Sequence, residues 1–275
     1  MANLPIPKNG RDVGECIYCG GSQNLRKEHA VPYGLNGPWT LLRASCPNCE
    51  RITSNFERDT LRCLLPAIRT VLDMQTGKPE RRQSSFPLQL EIKGQKKVVE
   101  VPLAEYPLYL PTPLFPPPGV ILGSLPSATS VSAKLGFLHI AGPSFEEVGR
   151  RYGADFVGAR LNFSPQEFAR TLAKIAFCVA VFALGTAPFK YTPIRRVILG
   201  EDLCVGHWVG AWAGEPVNEA KGLHAMQIRA SGTDIHVILR LFAQFGAPEY
   251  LVVLGPADLA FVNSDAWPAS WIKLE

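Results

Sequence analysis

Apolar and polar positions divide the chain into segments of different period. Ser164 to Gly185 predicts a helix: Ser164 can cap it, Pro165 fits the first helical position, Glu167 completes a capping box and Gly185 can end it. From Ile175 to Leu184 this segment is apolar on every side, the pattern of a helix buried in a core. Elsewhere the period shortens. Residues 88–92 and 97–101 flank Lys93-Gly94-Gln95-Lys96 and predict a β-hairpin. Residues 223–229, 235–241 and 250–254 are separated by Ala-Ser-Gly-Thr-Asp and by a Gly246-Ala-Pro248 break, as in an antiparallel meander. Nearer the start, a helix beginning near Cys49 is expected to continue to about Val71, which would bring Arg51, Arg58, Arg62 and Arg69 onto one face. Between these regions Pro102 to Pro126 packs eight prolines into 25 residues. Such a segment is a stiff extended connection, or one wrapped across its neighbour by Leu108, Tyr109, Leu110, Leu114 and Phe115.

The fold class expected from these elements is α+β, in three stretches: residues 1–75, a hairpin and proline-rich connection over 76–135, and a larger α+β part over 136–275. With 275 residues, 47% hydrophobic and 19% charged, the chain can bury a core without disulfides, which excludes wholesale disorder. Its longest apolar run falls well short of the roughly 20 residues that cross a bilayer. The first eight residues lack a signal-peptide pattern, so a reducing cytoplasmic setting is expected. The net charge of +4 is concentrated early: the first hundred residues hold 15 Lys and Arg against 10 Asp and Glu. An anionic partner would meet the N-terminal part.

Seven cysteines in such a setting point to metal before disulfides. Cys16-Ile-Tyr-Cys19 and Cys46-Pro-Asn-Cys49 form two C-x2-C pairs separated by 26 residues, and four thiolates suit one tetrahedral Zn²⁺. The separation exceeds the roughly 15 to 20 residues of the usual template, so structure is expected between the pairs. Cys63, Cys178 and Cys204 stand apart and are read as core thiols. His139, His207, His224 and His236 lack acidic or cysteine companions at ligand spacing, and Trp208, Trp212, Trp267 and Trp271 are expected to pack.

Between the pairs lies Glu28-His29-Ala-Val-Pro32, followed by a loop containing Gly34 and Gly37. C-x2-C, then an acid-His pair and proline, then a glycine-rich loop, then C-x2-C opening a helix: this order over residues 14–62 resembles the zinc-stabilised HNH endonucleases. The resemblance implies a ββα-metal fold and DNA as substrate, with RNA still open. On that mapping His29 is the general base and Glu28 a ligand of one catalytic Mg²⁺ or Mn²⁺. Where the family pattern has Asn or His after the last cysteine this chain has Glu50. Glu57, two helical turns on, shares its face, so either glutamate would complete the metal site. The central Asn of the pattern has no counterpart. An imidazole with an ordinary pKa of about 6.5 can accept a proton from water near neutral pH. Arg51, Arg58 and Arg62 would then contact phosphates.

Two other readings stay open: a non-catalytic zinc-ribbon module binding nucleic acid or protein, and a nuclease gated by a ligand-sensing C-terminal part. A homodimer or a protein partner docked through that part belongs to the same expectation. By analogy alone the nuclease would serve restriction or phage defence.

Overall fold

The computed structural model describes residues 10–128, 131–159, 161–214, 222–264 and 272–274. It is a mixed α+β structure of several small sheets and a few helices. The first sheet holds β1 (Arg11–Asp12), β2 (Arg26–His29) and β3 (Thr40–Ser45), with β3 central, parallel to β1 and antiparallel to β2. Helix α1 (Pro47–Asp59) follows directly. Cys46 is its N-cap residue and Pro47 lies at its start, where a missing N–H costs nothing.

The expected single helix from Cys49 to Val71 is not formed. After α1 a π-helical turn (Thr60–Leu64) leads to a break at Leu65, and α2 (Pro66–Val71) starts afresh. Proline is the physical reason. Pro66 has no N–H to continue the ladder, and it disfavours helical geometry in the residue before it: Leu65 sits at φ −119°, ψ 21°. The four arginines therefore do not form one straight stripe.

The predicted hairpin is β4 (Ser85–Ile92) with β5 (Gln95–Pro102), joined by Lys93 and Gly94, both at positive φ, the geometry of a tight primed turn. Next comes β6 (Leu108–Leu114), which takes up the proline-rich segment. Its Pro111 and Pro113 are tolerated because β6 pairs only with β7 (Lys134–Ala141), in a two-stranded ribbon. Leu108, Leu110 and Phe115 are buried, and the Tyr250 hydroxyl donates to the Pro113 carbonyl at 2.8 Å. The segment is wrapped against the core, the second of the two expectations. Helix α3 (Phe145–Tyr152) precedes β8 (Phe156–Gly158), which adds to β4.

Helix α4 (Pro165–Leu184) matches its predicted bounds, and the Ser164 side chain accepts the Glu167 N–H. Two short helices follow, α5 (Ile194–Leu199) and α6 (Val205–Trp208), then β9 (Val209–Ala211). The meander is β10 (His224–Ser231), β11 (Asp234–Leu241) and β12 (Tyr250–Pro256). It lies in a five-stranded sheet with β9 on one edge and β13 (Ile272–Leu274) on the other, and α7 (Leu259–Val262) follows β12. The apolar girdle of α4 is explained by its neighbours: β11, β12, α1, β3, α5 and α6 all pack against it. One buried cluster runs from Cys16 through α1, α4 and the meander to Ala257, continuous across both expected boundaries at residues 75 and 135. Cys178 is a core thiol as expected, whereas Cys63 and Cys204 are only partly buried. Trp208 packs against the core, while Trp267 and Trp271 lie outside the described residues. No helix among the described residues is long and apolar enough to cross a membrane.

Candidate metal centre

The four cysteines of the two pairs converge. Cys16 and Cys19 sit on a tight knuckle closed by Gly20 N–H to the Cys16 carbonyl (2.8 Å) and Cys16 N–H to the Gly21 carbonyl (2.7 Å), with Gly20 at φ 77°. Cys46 and Cys49 lie at the start of α1. All four sulfurs fall within 4.8 Å of one another, and Cys19 Sγ is 3.7 Å from Cys46 Sγ. Sulfurs around a tetrahedral zinc, each about 2.3 Å from it, stand about 3.8 Å apart. The cluster could hold zinc. Burial pushes the Cys16 and Cys49 thiols up, so holding all four as thiolates would take a bound cation.

Behind this cluster the structure brings Glu28 and Glu57 together, and places Lys174 between them. The Lys174 Nζ, on α4, lies 2.8 Å from Glu28 Oε1 and 2.7 Å from Glu57 Oε1, and donates to the backbone carbonyl of His29. The lysine side chain is 0% exposed, those of Glu28 and Glu57 8% and 17%. The aligned hydrogen bond is the one to the carbonyl. Glu57 Oε1 is an ion-pair contact with no aligned donor. Burial works against the ammonium, but Glu28 and Glu57 outweigh it and hold Lys174 above the ordinary lysine range. Glu57 is pushed up by burial, against the pull of Lys174.

Lys174 is the residue that sequence reasoning missed. Its signal was present: it is the single charged residue between Leu172 and Leu184. Arg170 and Cys178, a turn either side, share its face. Arg170 lies over the Phe56 ring at 4.7 Å, and the Cys178 sulfur is 3.3 Å from the Tyr18 hydroxyl. Between them the Thr60 and Thr171 hydroxyls meet at 2.9 Å. This strip of α4 is polar where it meets Glu28, Glu57, the His29 carbonyl, Thr60 and Tyr18.

The other expected site residues part company. A β-bulge does occur in β2, but between Arg26 and Glu28; Glu28 and His29 then take consecutive partners, Leu41 and Thr40. Side chains of such neighbours point to opposite faces. Glu28 turns inward to Lys174, while His29 stays partly exposed with its ring 5.5 Å from Tyr33 and its Nδ1 buried without a partner among the described residues. Burial, then Lys174 and Lys27, hold the imidazole below its usual range. Glu50 turns outward and pairs with Arg26 at 2.7 Å. The point that a catalytic Mg²⁺ or Mn²⁺ would share between Glu28 and Glu57 is filled by an ammonium, so the residues present do not fit that ion. Arg51 and Arg58 are exposed on α1 and donate to Asn48 and Asn55, at 2.9 and 2.8 Å. Arg62 and Arg69 instead border a cavity beyond the π turn.

No family model, no curated protein and no solved structure matches the chain.

Proposed function

We propose that the chain is a zinc-organised module that binds nucleic acid without cleaving it. One observation carries the reading: the Lys174 ammonium lies between the two carboxylates that a catalytic divalent ion would need. Such an ion binds through carboxylates while keeping several of its waters. Here a buried cation attached to the chain already neutralises them, and displacing it would strand a charge in the core. The cations left for a partner face solvent, with Arg51 and Arg58 on α1 and Arg62 past its end. They belong to the part of the chain that carries the charge excess. Contacts of this kind read the phosphate backbone and carry no base code, so DNA and RNA both fit.

A second reading, the HNH-type endonuclease with His29 as general base, is favoured by one observation. The imidazole is partly exposed, and burial, then Lys174 and Lys27, hold it below its usual range, the direction a general base requires. Incubating the protein with supercoiled plasmid and Mg²⁺ or Mn²⁺ separates the two. The expected outcome is a retarded band whose formation weakens steeply with salt, with no relaxed or linear product. Cutting that is lost in His29→Ala would overturn the binding module in favour of the nuclease.

A further inference from the structure

Where α1 gives way to the π turn and α2, the surface folds inward around a cavity of about 660 Å³. Arg62, Arg69, Lys78, Arg81 and Arg82 line it, and no carboxylate does among the described residues. Arg82 is paired with Asp73 and donates to the Met74 carbonyl, and Arg69 is anchored to the Gly34 carbonyl at 2.8 Å. Arg62, Lys78 and Arg81 make no ion pair among the described residues. Burial, and after it Arg82 and Arg62 nearby, push Arg69 below the usual arginine range. Guanidinium groups gathered in a hollow match an anion that can take several charge-assisted hydrogen bonds at once.

A second hollow, of about 260 Å³, shares Arg62, Pro66 and Gln83 with the first. Its character is different: Phe86, Tyr106, Tyr109, Phe137 and Phe145 line it, with the Asn162 amide among them. Tyr109 and Phe145 are stacked at 4.7 Å, and Phe137 on β7 is 50% exposed. A flat apolar group could lie against these rings while a linked anion reaches the arginines. The larger volume lies within the range of small-molecule sites, and the smaller adjoins it through the shared residues.

We propose that the joined hollows bind a nucleoside phosphate, with its phosphates among Arg62, Lys78 and Arg81 and its base against Phe137 and the neighbouring rings. Aromatic faces beside cations hold bases of any sequence, because every base has a stacking face. Two sources carry this chemistry, a free nucleotide and the 5′-phosphorylated end of a single strand. The inference takes Arg62 from the surface discussed above but does not depend on backbone binding there.

Calorimetric titration of the full-length protein with ATP, inorganic pyrophosphate, adenosine, and a short oligonucleotide with and without a 5′-phosphate tests it. ATP is expected to bind more tightly than pyrophosphate, and adenosine most weakly. The double variant Arg62→Ala/Arg81→Ala should weaken ATP and pyrophosphate alike, by about tenfold or more. Phe137→Ala should weaken ATP and leave pyrophosphate unchanged. These three side chains are exposed, and unchanged melting temperatures confirm that the variants fold. A phosphorylated oligonucleotide binding more tightly than ATP assigns the site to strand ends, and the reverse order assigns it to free nucleotides. ATP binding no more tightly than pyrophosphate, or unaffected by Phe137→Ala, would overturn the base hollow, and no ATP binding at millimolar concentration would overturn the whole inference. ATP binding without retardation of plasmid sustains this site while removing the proposed function, and the converse outcome does the opposite.

Discussion

Lys174 carries a charge to a place shielded from bulk solvent, where an unpaired ammonium would cost several kcal/mol. Glu28, Glu57 and the His29 carbonyl supply what water would have given it. The arrangement makes a graded expectation. Lys174→Met leaves two buried carboxylates without a counter-charge and should lower unfolding free energy by about 3–5 kcal/mol. Adding Glu28→Gln and Glu57→Gln to it should restore much of that loss, because the stranded charges go with the lysine. Urea unfolding of the two variants checks both statements; a single variant within about 0.5 kcal/mol of the wild type would mean that the triad does not hold the fold. Glu28 and Glu57 stood out in the sequence because of their place beside the cysteines, yet their partner did not. A lysine within an apolar helix says only that some acid must meet it. Which acid depends on a topology that brings α4 onto β2 and α1, far away in sequence, and local pattern does not contain that.

Among the elements, α4 and the meander were legible because each is local: caps, turn residues and apolar period lie within the segment itself. The break at Leu65 was equally local, since Pro66 stands in plain view, but the regular arginine spacing masked it. Loss of the straight stripe is what sets Arg62 and Arg69 beside the cavity rather than in line with Arg51 and Arg58. The two cysteine pairs join the knuckle after β1 to the start of α1, so the metal they could share would fasten β2, β3 and α1 as one piece. Elemental analysis should find one zinc per chain, absent in Cys16→Ser/Cys49→Ser. Chelation should lower the melting temperature by roughly 10 °C and zinc should restore it. A melting curve indifferent to chelator, with no zinc in the protein, would remove the metal from the account.

For the molecule as a whole, the buried cluster that spans the chain makes its stability answer to groups far from the cysteines. His224, taken from sequence as an ordinary residue of the second half, links the halves: its Nδ1 accepts the Phe242 N–H at 3.2 Å, and its Nε2 donates to the Leu35 carbonyl at 2.7 Å. Those two bonds require the neutral ring. Burial holds its pKa down at about 4, and His236 is likewise lowered to about 4, by burial and then Arg229. A histidine with a depressed folded pKa contributes its full stability above the unfolded value of about 6.5, and that contribution fades as pH falls from there toward 4. For His224 alone the loss is roughly 3 kcal/mol. Unfolding curves from pH 7.5 down to about pH 4 should show this decline, and His224→Gln should flatten part of it. A profile as steep in the variant as in the wild type would assign the decline to other groups.

The lysine between the two glutamates also sets an order of events during synthesis. At roughly 5–20 residues per second, the ribosome adds the 145 residues from His29 to Lys174 in roughly 7 to 30 s. The acids of the beginning are without their lysine for that interval, so the triad closes only after the middle of the chain has been made.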